Sequence, residues 1–222
     1  MEEKKCIIVG AGDFDAEYAK SEMAVSVGDF CIAADGGLMH LNMLEIIPDL
    51  IIGDMDSLKN DALLKEFEKI KNVSIKKLPV EKDDTDMLAA IKEGLARGYR
   101  RFELYGALGG RIDHAIANIQ CLDYLLSNGA SGVLYGNRVR VELLRDGRIY
   151  YPESFVSRYS TISVFAYGGN AYGVTERGLK YSLDDAKLSQ DFPIGVSNEF
   201  TGQESMIEVK KGRLLICVGD FT

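Results

Sequence analysis

The sequence predicts an α/β fold in two parts. Residues 1–136 form an N-terminal, mostly parallel sheet flanked by helices, and residues 137–222 form a C-terminal antiparallel β-sandwich or barrel domain. Three observations predict this. Short apolar runs alternate with amphipathic stretches in the first part, which is the signature of a parallel sheet covered by helices. From about Asn137 the apolar pattern changes to period two. Gly-containing dipeptides then fall between the alternating runs, as in antiparallel hairpins.

Cys6–Val9, Phe30–Ala34, Leu50–Ile52, Val73–Lys77, Arg101–Tyr105 and Gly132–Tyr135 read as strands. Asp61–Lys71, Asp83–Arg97 and Asp113–Ser127 read as helices. Met87, Leu88, Ile91 and Leu95 share one helical face, as do Ile116, Ile119, Leu122 and Leu126. His40, with Leu38 and Leu41, reads as a structural helix residue. In the second part, Ile162, Val164 and Ala166 alternate along Thr161–Tyr167. Asp146-Gly147, Lys211-Gly212 and Gly168-Gly169-Asn170 are expected to be hairpin turns.

The chain has 222 residues, enough for a sizeable core. With 34 acidic and 26 basic residues its net charge is −8. That balance argues against nucleic acid or an anionic membrane as partner. It leaves room for a phosphate substrate bridged to carboxylates by a metal ion. No segment is apolar for long enough to span a bilayer. The four cysteines are far apart and lie in apolar runs, so reduced thiols and a cytoplasmic protein are expected. Two histidines, His40 and His114, argue against a His-built zinc site.

The polar chemistry gathers where the predicted strands end. Asp35-Gly36-Gly37 follows one strand and Gly53-Asp54-Met55-Asp56-Ser57 the next. Lys82-Asp83-Asp84-Thr85-Asp86 opens a helix, and Gly106 to His114 follows a fourth strand. In an open α/β sheet, loops at the carboxyl ends of strands converge on the ligand crevice. Asp54 and Asp56 point the same way in an extended chain, where a cation would relieve their repulsion. The same residues also suit a solvated turn. Asp83 and Asp86 share a helical face and suit Mg²⁺, or serve as capping acids with Asp83 at the N-cap. Glycines 106, 109 and 110 ahead of a helix suit a phosphate cradle, with Arg111 as a forked donor; the alternative is a plain turn capped by Asp113. His114 reads as a phosphate donor or a helix cap. Gly10-Ala11-Gly12 reads as a tight turn at a strand end.

The ordered set Ala34-Asp35-Gly36-Gly37, Pro48-Asp49, Gly53 to Ser57, Lys82 to Asp86 and Gly109-Gly110-Arg111-Ile112-Asp113-His114 resembles thiamine pyrophosphokinases. Gly178-Leu179-Lys180-Tyr181 and Ser197-Asn198-Glu199-Phe200 extend the resemblance into the second part. The resemblance implies transfer of diphosphate from ATP to thiamine, giving thiamine diphosphate and AMP. It implies an ATP and Mg²⁺ domain at 1–136, a thiamine-binding domain at 137–222, and a homodimer with sites between subunits. By position, Asp54, Asp56 and Asp86 are the Mg²⁺ and diphosphate acids. Asp35, Asp83, Thr85, Arg111, Asp113 and Asn118 complete the nucleotide and diphosphate site. Ser197 and Asn198 meet the thiamine pyrimidine. With no Trp in the chain, Tyr181 or Phe200 is left to stack on the acceptor ring. Either Asp54 or Asp86 can take the hydroxyl proton. The rival readings are a pyrophosphokinase for another alcohol, such as a hydroxymethylpterin, and a non-catalytic nucleotide-binding module.

Overall fold

A computed structural model describes residues 4–55, 61–81 and 83–220. The chain divides into two compact units, Met1–Asn137 and Arg138–Thr222.

The first unit runs β1 (Lys5–Val9), α1 (Ala16–Glu22), β2 (Phe30–Ala34), α2 (Gly37–Met43), β3 (Leu50–Gly53), α3 (Asp61–Phe67), β4 (Ser74–Lys77), α4 (Asp86–Ala96), β5 (Arg101–Tyr105), α5 (Ile112–Ser127) and β6 (Ser131–Tyr135). All the strand pairings are parallel, in the order β4-β3-β2-β1-β5-β6. The chain builds outward from β1 to β4 and then returns to lay β5 on the other side of β1. That reversal opens a crevice at the carboxyl ends of β1 and β5. Cys6–Val9, Phe30–Ala34 and Leu50–Ile52 are continuous apolar runs because helices cover them, with Ile7, Ile8, Ile32, Ile51 and Ile52 fully enclosed, while β5 carries a buried Glu103 paired with Lys5 at 2.9 Å. β4 is an edge strand and reads Ser-Ile-Lys-Lys, ending in two lysines.

Two helix starts differ from the periodicity. The helix expected from Asp83 begins at Asp86, because Thr85 is extended and its Oγ1 accepts a hydrogen bond from Leu88 N at 3.2 Å. The Asp83 N-cap is thus replaced by Thr85. Likewise α5 begins at Ile112, with Arg111 at the cap position and Asp113 already inside the first turn. Helix α1 has only seven residues, too few to show a period. Asp15 caps it by accepting from Glu17 N and Tyr18 N.

The second unit runs β7 (Val139–Tyr151), α6 (Glu153–Val156), β8 (Thr161–Ala166), β9 (Ala171–Arg177), β10 (Leu183–Leu188), β11 (Asn198–Glu199) and β12 (Ser205–Gly219). Its pairings are all antiparallel. Two expected hairpin turns are not turns. Asp146-Gly147 lies inside the continuous strand β7, and Lys211-Gly212 lies inside β12. The two dipeptides face each other at a register shift between Val209 and Arg213. There Asp146 Oδ1 accepts from Gly212 N at 2.8 Å. Between the flanking pairs β7 has one residue and β12 has three, so β12 bulges by two residues, and Gly and Asp supply the backbone freedom a bulge needs just as they do for a turn. Asp146 has φ 42° and Gly212 φ 117°. The bulge is also where β12 exchanges neighbours, from β9 along Met206–Lys211 to β8 along Leu214–Gly219. Gly168-Gly169-Asn170 does connect two strands, but β8 and β9 pair with successive halves of β12 and not with each other.

The cysteines are free thiols, three of them buried. Burial pushes Cys31 up to about 12 and Cys121 to about 11, so they are inert at neutral pH. No described helix is long and apolar enough to cross a membrane.

Candidate active site

β2 and β3 are neighbours, with Ala34 opposite Ile52, so the residues following them emerge side by side. Asp35 N donates to Ile52 O at 2.8 Å, which bends the chain out of β2 into a left-handed conformation at φ 49°. Asp tolerates that region better than most residues. A Cβ on Gly53 would lie 3.0 Å from the Cα of Asp35, so the glycine permits the close approach of the two strand ends. A second glycine does the same for α2. A Cβ on Gly37 would lie 1.8 Å from the carbonyl oxygen of Val9, so the Asp-Gly-Gly segment owes its last residue to packing on β1.

The carboxylates of Asp35, Asp54 and Asp86 meet at this corner, with ligand oxygens within 4.8 Å of one another. Asp35 is buried. Its Oδ1 is enclosed with no hydrogen-bond partner among the described residues. A buried carboxylate oxygen without a partner is costly unless a cation or donor arrives. Oxygens on one Mg²⁺ lie up to about 4.2 Å apart across its shell, so a small adjustment brings all three acids onto one ion. The donor set is all-oxygen, as Mg²⁺ prefers. Asp35, which the resemblance puts in the nucleotide and diphosphate set, lies within reach of Asp54 and Asp86. Asp56 lies outside the described residues, as do Ser57 and Lys82 of the same motifs.

On the other side of the switch point, β1 and β5 are stitched beyond their ends. Gly10 N donates to Tyr105 O and Gly12 N to Gly106 O, both at 2.8 Å. His40 Nδ1 lies 2.9 Å from Gly10 O, and its ring stacks on Phe14 at 4.4 Å. Burial lowers its pKa, which keeps it neutral. Gly106, Gly109 and Gly110 all have positive φ, and the loop they form leads into the exposed first turn of α5. Arg111 pairs with Asp113 through Nε at 3.2 Å and Nη2 at 2.6 Å, both side chains being exposed. The guanidinium holds the Asp113 carboxyl down at about 2. Asp113 Oδ1 also accepts from His114 N, and the His114 side chain is exposed. Asn118 is buried and donates to Ala107 O at 2.7 Å, so it braces the glycine loop from below. Asp13 was not singled out in the sequence. Its carboxylate packs against the loop, where a Cβ on Gly109 would lie 2.3 Å from Oδ2.

Asp83 is exposed and lines a cavity of about 300 Å³ with Leu78, Pro79, Asp84, Ala89 and Lys92. Lys92 closes one side through its 2.6 Å ion pair to Asp84.

In the second unit, Tyr181 is 62% exposed and Phe200 is half-buried in edge contact with Tyr151 and Phe155. Of the two aromatic candidates, Tyr181 is the one with a free ring face to offer, beneath Lys180 Nζ at 5.6 Å. Ser197 is exposed, at φ 56°, with its N–H donated to Ser163 Oγ at 3.0 Å. Asn198 is buried and its amide is fully engaged. Oδ1 accepts from Tyr181 N and Glu199 N, while Nδ2 donates to Tyr181 O and Glu176 Oε2. The sequence had Asn198 meeting the acceptor; the structure gives its amide four partners within the chain. Glu176, buried beside it, carried no sequence signal because an acid in an alternating strand reads as solvent-facing.

Two models of known families match in chain order. The model described as thiamin pyrophosphokinase, catalytic domain, matches residues 22–133, and that for the thiamin pyrophosphokinase vitamin B1 binding domain matches residues 148–214. A thiamine pyrophosphokinase of Bacillus subtilis (strain 168) is 25% identical over 187 residues, covering 83% of this chain and 85% of that protein. Thiamine pyrophosphokinase 2 of Oryza sativa subsp. japonica is 30% identical over 161 residues, 68% of this chain and 58% of the relative. Among solved structures, thiamine pyrophosphokinase from Bacillus subtilis superposes with a TM-score of 0.86 at 22% identity, over 99% of this chain and 100% of that one. The yeast enzyme gives 0.78 at 18% identity, over 100% and 87%. The parallel sheet with acids at its strand ends, the antiparallel second unit and both family matches agree: the chain belongs to the thiamine pyrophosphokinase family.

Proposed function

We infer that the protein transfers the diphosphate of ATP to the hydroxyl of thiamine, yielding thiamine diphosphate and AMP. The observation that carries the reading is the meeting of Asp35, Asp54 and Asp86 at one corner of a sheet that matches the family's catalytic domain. The match of residues 148–214 to a vitamin B1 binding domain supports thiamine over a pterin alcohol as acceptor.

Diphosphoryl transfer depends on positioning and charge neutralisation. The thiamine hydroxyl oxygen bonds to the β-phosphorus, and the bond from that phosphorus to the oxygen bridging the α-phosphate breaks, releasing AMP. We assign Asp35, Asp54 and Asp86, with Asp56, as the residues that would hold Mg²⁺. When bound there, Mg²⁺ neutralises charge on the phosphate oxygens. Asp54 or Asp86 accepts the hydroxyl proton. The glycine loop and the N-terminal turn of α5 offer N–H groups and a positive dipole end to an anion. Arg111, already exposed and held by Asp113, adds a forked donor to the leaving phosphate. Asp83, Thr85, His114 and Asn118 belong to the same nucleotide corner, Thr85 and Asn118 by bracing backbone. Tyr181 and Ser197 face the acceptor.

We extend the reading to a homodimer with sites shared between subunits, on the family resemblance, and to a cytoplasmic location, supported by the inert free thiols. The test is release of AMP from ATP with thiamine, with a hydroxymethylpterin, and with no acceptor. Thiamine-dependent AMP that requires a divalent cation is expected. AMP formation with the pterin alone overturns the acceptor, and no AMP with either overturns the enzyme reading.

A further inference from the structure

Glu176 is 3% exposed on β9, and its neighbours in register are Leu183 of β10 and Ile207 of β12. Cations close to it in sequence or register are paired with other acids: Arg177 with Asp184 at 2.6 Å, Lys180 with Glu199 at 2.6 Å, and Arg148 with Glu208 at 2.7 Å. Among the described residues its carboxyl takes one hydrogen bond, from Asn198 Nδ2 at 3.0 Å. The orientation of that amide is fixed by its other partners. Oδ1 faces two backbone N–H groups, which can only donate, at 3.0 Å from Tyr181 and 2.9 Å from Glu199. Nδ2 must therefore face the carbonyl of Tyr181 and Glu176. Tyr181 is thus held at both its N–H and its C=O by one side chain. The same segment is stitched further by Lys180 N to Glu199 O and by the hydroxyls of Thr201 and Ser205 to Gly178 O.

We propose that Glu176 is a positioning residue for the acceptor site: it anchors the Asn198 amide, and through it fixes the backbone of Tyr181 and the strand that follows Ser197. Asn198 in this chain acts through backbone and not by touching the acceptor. The inference rests on thiamine as acceptor for its kinetic arm only. A carboxylate accepts from an amide more strongly than a carboxylic acid does, because the bond is charge-assisted. Burial places this carboxyl's pKa at about 7, so the anchor tightens as pH rises through neutrality.

The experiment uses the full chain with Glu176→Leu and Glu176→Gln. Glu176→Leu should raise the KM for thiamine at least tenfold and leave the KM for ATP within twofold. Glu176→Gln keeps an acceptor oxygen and should recover most of that loss. In the parent, the KM for thiamine should rise about fivefold from pH 8 to pH 6, while in Glu176→Gln it should stay flat. Amide exchange by NMR reads the anchor without any activity: the Tyr181 and Glu199 N–H groups should exchange at least tenfold faster in Glu176→Leu. If that variant does not fold, the Glu176→Gln pH profile decides. Unchanged exchange at Tyr181, equal changes in both KM values, or parallel pH profiles overturn the proposal. A parent that makes no AMP with thiamine overturns the acceptor assignment instead, and the exchange arm still decides the anchor.

Discussion

Glu176→Gln should make the protein more stable at alkaline pH and leave it nearly unchanged in acid. Burial is the larger cause acting on this carboxyl and raises its pKa from 4.5 to about 7, while the Asn198 amide acts in the opposite direction. A folded-state value above the unfolded one means that the native protein binds the proton more tightly. Stability is therefore unaffected below about pH 4.5, falls as pH rises towards 7, and carries the full cost above it. At about 1.36 kcal/mol per pH unit that cost is about 3 kcal/mol. Glutamine has the same shape, retains an oxygen for Asn198 Nδ2 and has no charge to bury. The assay is urea unfolding followed by far-UV circular dichroism for parent and variant, at pH 4.5 and pH 8. The variant should gain up to about 3 kcal/mol at pH 8 and less than about 0.5 kcal/mol at pH 4.5. Equal differences at the two pH values, or a variant less stable than the parent at pH 8, would refute the reasoning that the native carboxylate is buried with no counter-charge among the described residues.

Asp35→Asn and Asp86→Asn should each lower turnover at least a hundredfold without lowering the melting temperature, since both relieve repulsion among clustered acids; AMP release across a MgCl₂ titration checks this, and near-parental turnover at saturating Mg²⁺ would remove the residue from the metal site. Arg111→Lys should cut kcat/KM for ATP at least tenfold while shifting unfolding free energy by less than about 0.5 kcal/mol, because its ion pair with Asp113 is exposed. Gly37→Ala should destabilise by more than about 3 kcal/mol, measured by denaturant unfolding, because its Cβ would lie 1.8 Å from the Val9 carbonyl oxygen.

The parallel sheet is legible in the sequence because strands buried on both faces need uninterrupted apolar runs, as at Phe30–Ala34 and Leu50–Gly53. The antiparallel unit is legible as a class but not in its turns. Asp146-Gly147 and Lys211-Gly212 satisfy the backbone needs of a bulge and of a hairpin equally, and only the pairing of β7 with β12 decides between them. Asp35 is visible as a polar residue at a strand end. Its company with Asp54 and Asp86 depends on the order β4-β3-β2-β1-β5-β6, which no local pattern encodes. At Asn198 the sequence shows only a polar Ser-Asn-Glu run, and long-range contacts to Glu176 and Tyr181 turn the amide inward.

The sharing of β12 between β9 and β8 has a consequence for where this chain can be cut and rejoined. A circular permutant with new ends at Lys211-Gly212 would sever a strand that both halves of the second unit use as a neighbour, and the pieces of β12 that hold β9 and β8 would lose the backbone link between them. New ends at Gly168-Gly169-Asn170 leave every ladder of that unit intact, because β8 and β9 owe nothing to each other across that link. The two glycine-bearing segments look interchangeable as places to open the chain, but only Gly168-Gly169-Asn170 is a joint between ladders; Lys211-Gly212 is a kink within one.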